Sequence, residues 1–515
     1  MLNRSYLYFS VFLSGMTTLA VEFTASRMLQ TVFGTSNIVW ANVIGLVLLF
    51  LTLGYFLGGR LADRFPRPVL FYMVMTAAGW SSLFFLLMTS MVLRSTMVNL
   101  NGMNLSAVVG SFLGVFMAIA VPVTLLGCLS PFAIRLGVQN VEESGRISGR
   151  IYAISTWGSL LGTYLPVLYI IPTAGSRMAA VIFGGLLMLI GLLGIYSSSS
   201  NLWHKVVPTV CCLLVIPFAV MWTKGPIKDN RYQVYETESP YNYVEVQKRN
   251  NCYYLFLNEG AAVHSVYCED RPIPRRNSVY TTMTIAPLFT DPETLRKHPV
   301  KRMAMVGLGA GTLIKLYNRA YGPLKADGIE IDPVIVDVAR QYFNMNDPDL
   351  TVHMGDGRYE LNRLEGPYDV IAIDAYRPPY IPWHLTTREY FLEIKDRLSE
   401  HGSLVINTFR AKDDRRLVNA ITTSLSFMFS NVYTIDTGQY NTAVIATVSP
   451  SNIDNVLANM AQGKNASDVL SIAYDMMKRG LKPLEHSDIV FTDDVAPVEP
   501  MTDSMLFKIL LAQDH

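Results

Sequence analysis

Seven apolar stretches fall within the first 223 residues, at roughly 6–28, 37–59, 69–92, 106–134, 151–172, 178–197 and 206–223. Each is close to the ~20 residues a helix needs to cross a bilayer. Hydrocarbon offers no partner for backbone N–H and C=O groups, so runs of this length and composition must close their hydrogen bonds internally as helices. Half of the 515 residues are hydrophobic and only 16% are charged, and the imbalance is concentrated in this first portion. Residues 1–223 therefore read as a polytopic α-helical membrane domain with about seven spans. The first span lacks a basic leader with a cleavage site, so it is expected to be retained. Within it, Glu22 is an acid in an apolar helix, either packed against Arg27 or a hydroxyl, or lining a cavity. The small-xxx-small spacing of Gly158 and Gly162 predicts close helix packing.

The composition changes at residues 224–240, KGPIKDNRYQVYETESP, a polar break. Alternation from Tyr241 to Tyr267 predicts a small antiparallel sheet, so 224–290 reads as linker and β-subdomain. Residues 291–515 read as an α/β domain. There KRMAMVGLGAGTLIKLYNRA gives a buried strand, a turn built on Gly307, Gly309 and Gly311, and a helix. ADGIEIDP then gives a second strand ending in Glu330, with Asp332 just beyond it. Glycines admit a ligand close to the backbone, the helix start offers N–H groups, and an acid at the next strand tip suits two ribose hydroxyls. MGDGRYEL adds Asp356 and Gly357, and YDVIAIDAYRPPY ends an apolar strand in Asp374. All these groups fall on the C-terminal edge of one parallel sheet, where such folds bind ligands. The pattern predicts a Rossmann-like domain that binds an adenosine-containing molecule, S-adenosylmethionine or its decarboxylated form rather than a dinucleotide.

From about Tyr235 to Asp436 the chain resembles the spermidine synthase (polyamine aminopropyltransferase) family, in its membrane-fused form. The segments that carry the likeness are TESPYNYVEV, YLFLNEGAAVHSVY, VYTTMTIAPLF, VGLGAGT, GIEIDP, GDGRYEL and YDVIAIDA. The resemblance implies that Glu330 holds the ribose, Asp356 faces the adenine, and Asp374 takes the proton of an attacking amine. It also implies a small-molecule amine acceptor, a donor of the S-adenosylmethionine type, no metal, and a homo-oligomer. Tyr280 matches a family tyrosine that positions the amine, or is a core tyrosine. Three positions depart from the family pattern: Ala310 replaces an aspartate in the turn, Arg377 an aspartate after the base, and Thr281 a glutamine. Two ammonium-binding acids are thus missing, and Arg377 suits a carboxylate on the donor or acceptor.

The segment IVFTDDVAPVEP places Asp493, Asp494 and Glu499 in an extended loop, either solvated or returning to supply the missing carboxylates. His384 lines the acceptor pocket or is an ordinary helix-entry residue. NTAVIATVSP reads as a closing strand. Five cysteines, three of them in apolar spans, show neither metal spacing nor a disulfide framework, which suits a reducing compartment. A net charge of +1 leaves no basic footprint for nucleic acid.

Basic loops at Arg60, Arg64 and Arg67 and at Arg135, Arg146 and Arg150 read as cytoplasmic. Seven spans would then put the second half outside, away from a cytosolic donor. The donor chemistry therefore predicts a re-entrant or missed span, with Pro122 and Pro131 the expected break, and a catalytic domain on the cytoplasmic face of an inner membrane. The functional expectation is a membrane-integrated aminopropyltransferase of polyamine biosynthesis. The alternatives are another S-adenosylmethionine-dependent transferase (methyl or 3-amino-3-carboxypropyl) or a polyamine- or nucleoside-binding transporter or sensor without turnover.

Overall fold

The computed structural model describes residues 4–33, 37–99, 106–228, 230–258, 262–270, 278–377, 379–438, 440–462 and 467–512. The chain divides into two compact units. The first is Met1–Arg231 with Glu236–Tyr243 and Asn258–Gly260; the second is Tyr232–Tyr235, Val244–Leu257 and Ala261–His515.

The first unit is built on the helices α1 (Arg4–Phe33), α2 (Asn37–Arg64), α3 (Pro68–Asn99), α4 (Ser106–Gly137), α5 (Ser144–Leu165), α6 (Ile171–Ser198) and α7 (Leu202–Thr223). Among the described residues, six helical runs are long and apolar enough to cross a membrane, and one of them, Val141–Ser198, is 58 residues long. That run contains both α5 and α6, joined through a short π-helical stretch at Pro166–Ile170. The backbone leaves helical geometry at Gly175 (φ 83°, ψ 163°). The expected break at Pro122 and Pro131 is absent, because α4 continues through both prolines; membrane helices tolerate proline where neighbouring groups re-satisfy the freed carbonyls. The interruption is at a glycine, the residue able to adopt positive φ without steric penalty.

Helix packing in this unit depends on absent side chains. A Cβ on Gly158 or Gly162 of α5 would collide with the backbone carbonyls of Phe12 and Met16 on α1, so the two backbones touch directly. The Arg27 guanidinium bonds Gln30 at 3.2 Å and the carbonyls of Ser239 and Pro240.

Two sheets follow the helices. Strands β1 (Gln233–Glu238), β2 (Tyr243–Arg249), β3 (Cys252–Leu257) and β4 (Val263–Cys268) lie in that order in a four-stranded sheet. Cys252 faces Cys268 across the β3–β4 pair, and the two form a disulfide. The reading of no disulfide is corrected: the partners are 16 residues apart in sequence, and only the antiparallel register brings them opposite each other.

The larger sheet comprises β5 (Arg302–Val306), β6 (Lys325–Glu330), β7 (Leu350–Met354), β8 (Tyr368–Ile373), β9 (Leu398–Phe409), β10 (Asn431–Thr437), β11 (Asn441–Thr447) and β12 (Leu481–Lys482). Their order is β12-β10-β11-β9-β8-β5-β6-β7. Strands β5 to β9 pair in parallel, and runs such as Met303–Val306 and Val370–Ile373 are buried throughout, as strands covered on both faces require. From β5 the chain moves to β6 and β7 on one side and then crosses to β8 on the other. This switch point opens a crevice at the carboxyl ends of β5 and β8. The supposed closing strand β11 is interior, inserted antiparallel between β9 and β10. Glu499 is not in a loop; it lies in the first turn of the helix Val498–Ala512.

Replacing Gly158 with valine should separate α1 from α5. Detergent-solubilised Gly158→Val is expected to lose most of its yield or to unfold at a lower temperature than the parent in a thermal-shift assay, whereas Gly145→Val, where nothing lies within 4 Å of a new Cβ, should not.

Candidate active site

Gly307 begins the turn after β5 with φ +84°, and a Cβ there would collide with the Asp374 carbonyl oxygen and with Ala375. Only glycine satisfies both the dihedral and the approach. Asp374 N–H donates to the Val306 carbonyl at 2.8 Å, so the tip of β8 is laced to the start of the turn. The turn is also held from β4. The Ala310 N–H donates to Ser265 Oγ at 2.9 Å, and Thr312 Oγ1 both receives the Val266 N–H and donates to the Val266 carbonyl. Ala310, where the family pattern has an acid, is 2% exposed.

Glu330 at the tip of β6 accepts from Gly309 N–H at 2.8 Å and from Asp332 N–H at 3.2 Å. Burial raises its pKa to about 7 against the lowering effect of these bonds. Asp332 itself is fully buried and accepts from Val334 N–H as the N-cap of the helix Pro333–Tyr342.

Asp374 Oδ1 accepts from Asn407 Nδ2 at 2.7 Å, and Asn407 Oδ1 in turn accepts from Asn441 at 2.9 Å. Tyr280 donates to the His264 carbonyl at 2.7 Å and is also in hydrogen-bonding reach of Asp374. Desolvation pushes Asp374 up to about 6, moderated by Asn407 and Tyr280. A Tyr280 O–H turned toward Asp374 stabilises the ionised carboxylate, which is the lowering effect that offsets part of the desolvation.

On the other flank, Asp356 caps the helix Gly357–Leu361 with Oδ1, and its Oδ2 lies 2.9 Å from His384 Nε2. His384 is thus brought to Asp356. Asp493 returns to this flank rather than to Asp374: Arg358 holds both its oxygens at 2.7 and 2.9 Å, and Thr387 donates to one. Asp494 is exposed. Arg377 is exposed, and its guanidinium makes no hydrogen bond among the described residues. Among the described residues no cluster of His, Cys, Asp and Glu has the make-up of a metal site.

Asn407, Asn441, His264 and Ser265 were not singled out from sequence. An asparagine at the end of the apolar strand SLVINTF is the one local signal that could have marked Asn407.

The architecture is that of a Rossmann-like α/β transferase domain with its crevice at the strand tips. Residues 290–460 match the family model described as the spermine/spermidine synthase domain. The chain is 25% identical over 379 residues to a probable polyamine aminopropyl transferase of Bifidobacterium longum, covering 70% of this chain and 75% of that protein. It is 32% identical over 204 residues to a polyamine aminopropyltransferase of Vibrio vulnificus, covering 38% and 64% respectively. A crystal structure of a probable spermidine synthase from Corynebacterium glutamicum aligns with a TM-score of 0.38 at 17% identity, over 50% of this chain and 96% of that one. Residues 290–460 thus carry a spermine/spermidine synthase domain, and apolar helices long enough to cross a membrane precede it.

Gly307→Ala should destabilise the protein by at least about 1 kcal/mol, from positive φ and collision with β8 together. A lowered thermal midpoint is expected, and an unchanged one would mean that β8 and the turn are not in contact.

Proposed function

We propose that this protein is a membrane-integrated aminopropyltransferase, moving an aminopropyl group from decarboxylated S-adenosylmethionine to an amine and releasing methylthioadenosine. The observation that supports this reading most is Asp374, a desolvated carboxylate at a strand tip, bonded to Asn407 and Tyr280 and adjoining the glycine turn. In the reaction a C–N bond forms as the C–S bond of the sulfonium breaks, sulfur keeps the electron pair, and the amine sheds one proton. A nucleophilic amine must be neutral when it attacks. Asp374, with a pKa near 6, is ionised at neutral pH yet basic enough to accept that proton. Tyr280 orients the acceptor's side of the carboxylate. Glu330 takes the ribose hydroxyls while Gly307, Gly309 and Gly311 let the donor approach the backbone. Asp332 fixes the adjoining helix start, and Asp356 with His384 and Gly357 forms the adenine side.

A second reading has its own support. Ala310 and Arg377 remove two negative charges and add a positive one, which favours a donor that keeps its carboxylate and hence methyl or 3-amino-3-carboxypropyl transfer. Asp493, committed to Arg358, shapes the flank near Asp356, and exposed Asp494 is the acid left to meet a cationic acceptor. Purified full-length protein incubated with each donor and a panel of amines, read by mass spectrometry, should yield the aminopropyl adduct. A methyl or aminocarboxypropyl adduct would select the second reading, and binding without turnover would sink both in favour of a sensor.

Asp374→Asn should lower turnover at least about a hundredfold with donor affinity nearly unchanged. The pH dependence follows from the same group. The ionised form is the base, so activity falls as pH drops through about 6. The Asn407 hydrogen bond stabilises the ionised form, so Asn407→Ala should move the acid limb of kcat/KM to higher pH. A limb that stays put would show that Asn407 does not act through Asp374.

A further inference from the structure

The two ends of the helical unit can be told apart by their contacts. At one end Arg4 bonds Gln139 at 3.0 Å, Arg135 pairs with Asp63 at 3.3 Å, Arg150 lies over Tyr8, and Tyr6 bonds the Ile190 carbonyl. These contacts gather the start of α1, the ends of α2 and α4, the start of α5 and the last third of α6. At the opposite end Arg27 of α1 holds the carbonyls of Ser239 and Pro240. There too Ser176 N–H donates to Glu238 at 2.7 Å, and Arg177 donates to the carbonyls of Gly225 and Pro226 at 2.7 and 2.8 Å. The end of α1, the start of α6 after Gly175 and the end of α7 therefore share this second end.

The turn at Gly175 makes α5 and α6 separate crossings. α5 runs alongside α1 in the same direction, with Gly158 against Phe12 and Gly162 against Met16. α6 runs back along α3, with Gly184 against Gly79 and Gly194 against Tyr72. Among the described residues the helices make seven passes, and the chain leaves α7 at the end opposite the one where α1 begins. The first end carries Arg4, Arg60, Arg64, Arg67, Arg135, Arg146, Arg150 and Lys205 in its short loops and helix ends. The second has Arg27, Arg94, Arg177, Lys224, Lys228 and Arg231, of which Arg27, Arg177 and Lys228 are spent on carbonyls. Positive charge in short loops marks the cytoplasmic side.

A separate observation agrees. Cys252 and Cys268 of the second unit are joined, while the free cysteines Cys128, Cys211 and Cys212 all lie in α4 and α7. Disulfides persist in oxidising compartments and are rare in the cytosol.

We propose that the spermidine synthase-like domain faces the extracytoplasmic side of the membrane. The parity that sequence alone set aside is thereby accepted, and the expected cytoplasmic placement is reversed. On the aminopropyl reading of the site, acceptor and sulfonium donor are both cations taken up on that face, and the step that supplies the donor is an export across the bilayer. This consequence rests on that reading; the sidedness does not.

Two exposed positions test the sidedness in the full-length chain, Arg67→Cys in the α2–α3 loop and Asp488→Cys in the second unit. A membrane-impermeant maleimide is expected to label Asp488→Cys in intact spheroplasts and Arg67→Cys only after permeabilisation. In the parent protein, alkylation without prior reduction should leave Cys252 and Cys268 unmodified and recover them as one cross-linked peptide. Protection of Asp488→Cys in spheroplasts, labelling of Arg67→Cys there, or free Cys252 and Cys268 would each overturn the proposal. None of these readouts depends on catalysis, so a failed activity assay leaves the sidedness intact, and a failed topology assay leaves the reaction intact.

Discussion

The contact between Gly307 and the backbone of Asp374 is the constraint on which the candidate site depends. It is a contact between main chains, made possible by a missing Cβ and held by the Asp374 N–H bond to Val306. On the proposed reading, a donor bound at the glycine turn lies beside the carboxylate at the tip of β8. Proximity of this kind supplies much of the rate gain in a bimolecular displacement. It requires no side chain to adjust, because the spacing is set by the ladder between β5 and β8.

The same crevice holds two desolvated carboxylates in different settings. Glu330 accepts backbone N–H bonds from its own loop and from the turn, whereas Asp374 is supported by side chains from β9 and from the short helix Val279–Met283. Backbone donors cannot move away, so Glu330 stays a fixed acceptor of the kind a ribose needs. Asn407 and Tyr280 can respond to a change in charge, which is what a group gaining and losing a proton requires. The Asn441–Asn407–Asp374 chain extends this to β11, which pairs with β9 inside the sheet.

What sequence shows of this protein follows from how local each signal is. Strand, glycine turn and helix are contiguous, so the sequence pattern alone places Gly307, Glu330 and Asp374 on one sheet edge. The seven apolar runs were visible for the same reason. Asn407 lies 33 residues from Asp374, and Ser265 45 from Ala310; partners at such distances meet only through sheet order, which periodicity does not encode. The Cys252–Cys268 pair was missed because spacing alone does not state register. The break at Gly175 was misassigned to Pro122 and Pro131, since proline is the louder local signal while a glycine's φ is set by what packs around it. Asp493 looked free because its partner Arg358 is remote in sequence.

The departures at Ala310 and Arg377 bear on which molecule the crevice accepts. A site for a doubly cationic acceptor and an ammonium-bearing donor needs several carboxylates to offset desolvated positive charge. Here one position is a buried alanine whose amide belongs to Ser265, and another is an exposed arginine. Asp493 does not compensate, because Arg358 and Thr387 occupy its oxygens. On the proposed reading, Asp374 and exposed Asp494 are the acids left to the acceptor. On that reading the site would favour an amine with one reacting nitrogen and no second ammonium to neutralise over a symmetric diamine. Exposed Arg377 would then add a preference for a molecule that carries a carboxylate of its own.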